Sequence, residues 1–135
     1  MIRRFGIFCL VLLASCDEMG GPFHLGGRFD NRADAEETIA KGWLPKALPP
    51  EASEIWEEHE LDSNTGYGGF RFSETDAIQL RGDLVPVDVE PRSCKVPWSE
   101  MLAGGHEWYK TEYFLVAVKW EDSWASFWVC YGRGV

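Results

Sequence analysis

Positive charge is scarce in this sequence: 13 lysines and arginines stand against 22 aspartates and glutamates in 135 residues, a formal net charge of −9. An acidic chain without a Lys/Arg cluster is repelled by phosphate backbones, so nucleic acid is not an expected partner. The same charge gives no adhesion to anionic lipid heads. Long hydrophobic runs are missing too. The longest, residues 5–14, is far shorter than the roughly 20 apolar residues of a membrane-spanning helix. Histidine is limited to His24, His59 and His106, and cysteine to Cys9, Cys16, Cys94 and Cys130. There is no zinc-protease His pair, no serine elbow and no paired-cysteine motif. No catalytic residue, metal site or cofactor is therefore assigned. No internal repeat is visible.

Two segments imitate known sites and fail on spacing. Asp62-Ser63-Asn64-Thr65-Gly66 begins like a calcium loop. Its glycine stands one place early, and Ser73 occupies the position where a bidentate glutamate is needed. Gly66-Tyr67-Gly68-Gly69-Phe70-Arg71 has the look of a dinucleotide-binding glycine run, yet Arg71 replaces the last glycine and the run leads into a strand. Phosphate binding of that kind needs a helix N-terminus.

What the chain does have is concentrated at its start. Arg3 and Arg4 precede the apolar run, which closes on Leu13-Ala14-Ser15-Cys16. A positive start, a short apolar centre and a small-residue exit are the parts of a secretory leader. The last four residues resemble the lipobox of bacterial lipoproteins. That resemblance implies cleavage after Ser15, a diacylglycerol on the Cys16 sulfur and acylation of the new amino terminus. Residues 1–15 are thus the expected signal peptide and Cys16 the lipid attachment residue. One acyl chain holds only marginally, at about 0.8 kcal/mol per buried methylene, and two signals give stable anchoring; the lipoprotein type carries three. Asp17 and Glu18 follow Cys16, which resembles the inner-membrane retention signal of enteric-type lipoproteins. The expected location is the bacterial cell envelope, lipid-anchored and facing the periplasm, the inner membrane favoured over the outer.

Removing the leader takes Arg3 and Arg4 and leaves about 120 residues with 11 basic against 22 acidic, one domain's worth of chain and enough for a real core. Cys94 and Cys130 then form an even pair in a disulfide-forming compartment. Bridged, they close a loop of about 36 residues, worth roughly 3–4 kcal/mol in the chain-entropy model; two buried free thiols are the alternative. Residues 16–30 are glycine-rich and aperiodic, and read as a flexible tether. At about 5–6 Å × √n, some 14 residues hold a domain roughly 20 Å from the lipid. Residues 31–135 are the expected single domain.

Asn31 caps a predicted helix over residues 32–41, with acidic residues early and Lys41 late. Ala35, Ile39 and Trp43 fall at spacing four on one face. Residues 55–61 and 67–72 read as strands around the turn cluster at 62–66. Ser73-Glu74-Thr75-Asp76 resembles a capping box opening a second helix with an apolar stripe of Ala77, Ile78 and Leu80. A short helix is expected from Trp98. Residues 113–120 and 124–131 are β-rich runs joined by Glu121-Asp122-Ser123 as a hairpin. The order predicts an α+β fold: an antiparallel sheet of four to five strands with two main helices packed on one face.

Two features are candidates for binding. In Glu57-Glu58-His59-Glu60-Leu61-Asp62, an extended chain turns Glu58, Glu60 and Asp62 one way, Glu57 and His59 the other. The second is tryptophan, seven in all. Trp120 and Trp128 are expected in the core, whereas Trp56, Trp108 and Trp124 are candidates for a surface patch, because tryptophan is enriched in binding hot spots. The stretch from Trp43-Leu44-Pro45 through His59-Glu60-Leu61-Asp62-Ser63-Asn64 is similar to a segment of small uncharacterised bacterial proteins, with Glu60 and Ser63 where Asp and Thr are commoner. That resemblance covers residues 42–72 and carries no activity. The expected role is non-catalytic: a lipid-anchored envelope protein that contacts another protein or the cell wall. Two alternatives stand beside it, a toxin-neutralising immunity lipoprotein and a wall- or lipid-directed hydrolase using His59 and Asp62 as an acid–base pair.

Overall fold

The computed structural model describes residues 24–88 and 104–130. The leader, Cys16, Cys94 and the short helix expected from Trp98 lie outside these residues. In chain order the elements are β1 (His24–Phe29), α1 (Arg32–Ala40), β2 (Ser53–Glu60), β3 (Thr65–Arg71), α2 (Glu74–Asp83), β4 (Val85–Pro86), β5 (Glu107–Thr111), β6 (Phe114–Lys119) and β7 (Trp124–Val129). The strands make one seven-stranded sheet in the order β1-β2-β3-β7-β6-β5-β4, with every pairing antiparallel.

This overturns the expected fold of four to five strands with two main helices. The described residues are β-rich, with two short helices of nine and ten residues among them. The extra strands escaped the sequence pattern for physical reasons. β1 reads His-Leu-Gly-Gly-Arg-Phe, a composition that disfavours strand and was expected to be tether. Pairing over six positions with β2 makes it a strand, and its glycines suit the close approach. A Cβ on Gly26 would lie 2.7 Å from the Glu57 carbonyl. β4 is two residues long and β5 is of mixed polarity, too short and too irregular to show a period.

Local chemistry explains the helix starts. The Asn31 side chain accepts from the Asp34 amide at 3.0 Å, capping α1. Ser73 and Asp76 form a reciprocal capping box on α2, which satisfies two otherwise orphaned donors. Ala35 and Ile39 of α1 and Leu80 of α2 are buried, but Ile78 is 76% exposed and does not belong to the buried stripe. Turns use left-handed residues: Asn64 between β2 and β3, Glu112 between β5 and β6, and Ser123 after the 3-10 turn Trp120–Asp122 that joins β6 to β7.

The core lies on the helix side of the sheet. It joins Ala35, Ile39, Leu44, Leu48 and Leu80 to Ile55, Phe70, Val116, Val118 and Phe127. Full burial of one such large side chain contributes about 1.5–3 kcal/mol. Phe127 sits at the centre, edge-on to Phe114 at 5.6 Å and tilted against Phe70 at 6.4 Å. The seam between β3 and β7 joins the two halves of the chain, with Tyr67 opposite Trp128 and Arg71 opposite Trp124.

Candidate functional site

Directly opposed residues of antiparallel strands share a face. Tracing the registers across the sheet therefore assigns each candidate side chain to a side. Arg28, Trp56, Gly69, Ser126, Ala117 and Trp108 make one row from β1 to β5 on the side away from the core. The neighbouring row holds Glu58, Tyr67, Trp128 and Leu115. Arg71, Trp124 and Lys119 make a third, and Glu60 pairs with Thr65 at the far end. Trp56, Trp108, Trp124, Glu58 and Glu60 thus come together on one face. Asp62 does not join them; it is exposed in the turn between β2 and β3.

Sequence reasoning missed two members of this face. The sequence shows Tyr67 only as the start of a strand, and it predicts Trp128 in the core. The pleat turns Phe127 inward and hence Trp128 outward, where it meets Trp108 at 6.1 Å between ring centres. Leu115 and Cys130 are buried beneath these two rings as a second small core. Trp120 is partly buried on the helix side, edge-on to Phe72 and Tyr109, with the Arg81 guanidinium 3.8 Å from its ring centre. Its indole N–H donates to Glu107 at 3.0 Å.

The aromatic side chains are held in fixed poses. The Trp124 ring lies on Gly69, where a Cβ would come within 2.6 Å of Cζ2. Its N–H donates to the Ser126 hydroxyl at 3.1 Å, and the Arg71 guanidinium stands 5.7 Å from the ring centre. Arg71 is itself paired with Glu54 at 3.1 Å. Trp56 meets Tyr67 edge-on at 5.7 Å, and the Tyr67 hydroxyl donates to Glu58 Oε2. That bond, then burial and the Glu58 charge, push the Tyr67 phenol above its ordinary range. Partly exposed rings with fixed orientations and nearby carboxylates offer apolar area together with polar contacts, the mixture found at interaction hot spots.

The expected His59–Asp62 pair is not the arrangement seen. His59 Nδ1 lies 2.7 Å from Glu57 Oε2 on the helix side of β2, and both side chains are more than nine-tenths buried. Burial, the largest effect, raises the Glu57 carboxyl above its ordinary value against the opposing pull of His59. Among the described residues no group of three or more His, Cys, Asp and Glu is placed to hold a metal ion. None of the described helices is long and apolar enough to cross a membrane.

Residues 26–71 match the YbbD head domain, a bacterial family. The match starts within β1 and stops at the end of β3, so it includes Trp56, Tyr67, the Glu57–His59 pair and nearly all of the segment at 42–72. No curated protein and no solved structure matches the chain.

Proposed function

We propose that this chain is a lipid-anchored protein of the bacterial cell envelope that acts by binding, through the aromatic face of its sheet, to another protein or to the wall. The observation that carries the reading is the convergence of Trp56, Trp108, Trp124, Glu58 and Glu60, scattered in sequence, on the side of the sheet away from the helices. The lipobox resemblance at Leu13-Ala14-Ser15-Cys16 supports the anchor, and the match to a bacterial domain agrees with the setting. Asp17 and Glu18 favour the inner membrane. Cys94 and Cys130 are the proposed bridge, which would tie the chain ahead of β5 to the end of β7.

Photo-crosslinking in living cells tests the face. A photoreactive residue at Trp56 or Trp124 gives a discrete adduct, while one at exposed Ile78 on α2 gives none. Equal adducts at the two sites, or none at the face, refute the assignment. Intact mass of protein extracted from membranes tests anchor and bridge together. A triacylated mass on residues 16–135, abolished by Cys16→Ser and lighter than the reduced form by two hydrogens, is the expected result. The acidic balance supports a second reading, a toxin-neutralising immunity lipoprotein that meets a basic toxin in the periplasm. Unchanged survival of a deletion strain in competition with toxin-producing neighbours would exclude it.

A further inference from the structure

Glu57 and His59 lie near the open edge of the sheet, under α1, and they form the floor of a cleft of about 460 Å³. That volume falls within the roughly 300–1,000 Å³ of small-ligand sites. Their side chains are 4% and 9% exposed. The His59 ring is fixed from both sides of the cleft's base: Nδ1 is tied to Glu57, and Trp43 stacks on the ring at 3.9 Å with planes 11° apart. Two polar atoms at this floor, Glu57 Oε1 and His59 Nε2, have no hydrogen-bond partner among the described residues. Neither atom is sealed from solvent, so both are open to a ligand that enters the cleft.

The chemistry of that ligand follows from the atoms. The free carboxylate oxygen of Glu57 is an acceptor, and in the neutral ring with Nδ1–H donating to Glu57 His59 Nε2 is another. Two acceptors require donors, and the buried carboxylate charge favours a donor that is positive. The walls are apolar: Leu25 and Leu61 are about half exposed at the mouth, with Phe29 beside them. Other charged groups near Glu57 are Glu58, adjacent on β2, and the Glu37–Lys41 pair on the α1 side of the cleft. Lys41 is thus already neutralised by Glu37. The acidic chain as a whole draws cations toward its surface.

We infer that this cleft binds a small organic cation, an ammonium or guanidinium head on a short apolar stem, with the head on Glu57 and His59 and the stem along Leu25, Phe29 and Leu61. This site lies on the opposite side of the sheet from the aromatic face and stands or falls independently of it. The head group could reach the cleft as a free amine-type metabolite or as a lysine or arginine side chain of a partner, and the experiment separates the two.

The test is calorimetric titration of the full-length protein with n-butylguanidinium, with n-butylurea as its neutral isostere, and with an acetylated Gly-Arg-Gly amide. Butylguanidinium should bind at least about tenfold more tightly than butylurea, the factor expected for a charged hydrogen bond. Glu57→Gln should abolish that preference, and binding should shift the His59 ring resonances in wild type. Acidification should weaken the cation as Glu57 takes up a proton. Tighter binding of the peptide than of butylguanidinium assigns the cleft to a partner side chain, and the reverse assigns it to a free cation. Equal affinity for butylguanidinium and butylurea, an undiminished preference in Glu57→Gln, or unmoved His59 resonances overturns the inference.

Discussion

Replacing Gly68 by alanine and, separately, Gly82 by alanine makes the same covalent change with opposite expected consequences. Gly68 is in β3, buried between β2 and β7. A Cβ there would stand 2.2 Å from the Trp56 carbonyl oxygen, 2.6 Å from Phe127 Cζ and 3.0 Å from Glu57 Cα. None of these atoms has freedom to withdraw. The Trp56 and Glu57 backbone is locked by pairing on both sides, with β1 and with β3, and Phe127 is wholly buried. The strand must open or Phe127 must leave its rotamer, a distortion of the overpacking kind that costs about 1–3 kcal/mol. Gly82 is in α2, exposed, with nothing within 4 Å of its would-be Cβ. Alanine there removes chain entropy from the unfolded state and improves helix propensity, contributing about 0.5–1 kcal/mol. At roughly 4 °C per kcal/mol for a domain of this size, Gly68→Ala should lower Tm by about 4–12 °C and Gly82→Ala should raise it by about 2–4 °C. Calorimetric melts of the two variants and wild type decide the matter. A Gly68→Ala protein as stable as wild type would refute the close packing of β2, β3 and β7 on which the aromatic face rests.

Three further outcomes are expected. Glu57 has its folded-state value raised by burial, so its contribution to stability is full below the ordinary carboxylate range and is lost as pH rises through the elevated value; a rise of one pH unit is worth about 1.4 kcal/mol. Glu57→Gln removes that loss, so Tm of the variant relative to wild type should climb from about pH 4 to pH 7, and a constant difference across that range would contradict it. Ser73→Ala deletes the acceptor of the α2 capping box and should cost about 1 kcal/mol in urea unfolding, with no cost indicating that the box is dispensable. Glu58→Gln removes the carboxylate that accepts from Tyr67; ultraviolet difference titration should then show one phenol ionising at lower pH, and an unchanged titration would place that bond elsewhere.

How much of this was legible in the sequence depended on whether a residue's role was set by its neighbours in the chain. Asn31 and Ser73 announce their helices because a cap is a contact within three residues. The β6–β7 hairpin is legible for the same reason: two β-rich runs meet across a turn. β1 is illegible because nothing local favours a strand in Leu25-Gly26-Gly27-Arg28; only the distant β2 does. The face fares the same way. Tryptophan's chemistry made Trp56, Trp108 and Trp124 candidates, but their common side follows from registers running through β3 and β7, which no single segment encodes. The mostly apolar run around Trp128 predicts a core position for it, and only its pairing with Tyr67 shows that Phe127 has the inward place. Proximity in the chain suggests Asp62 as the partner of His59, whereas the strand's alternation selects Glu57.

The seam between β3 and β7 bears on the order of folding. Its partners, such as Tyr67 and Trp128, are among the most widely separated in the chain, while β2–β3 and the β5–β6–β7 meander are built from near neighbours. Closing a contact of long chain separation costs loop entropy before any packing compensates it, so proteins rich in such contacts fold slowly. The two halves are therefore set to assemble as separate meanders that zip along β3 and β7 last, with Phe70, Phe127 and the Trp124 ring over Gly69 left exposed until then.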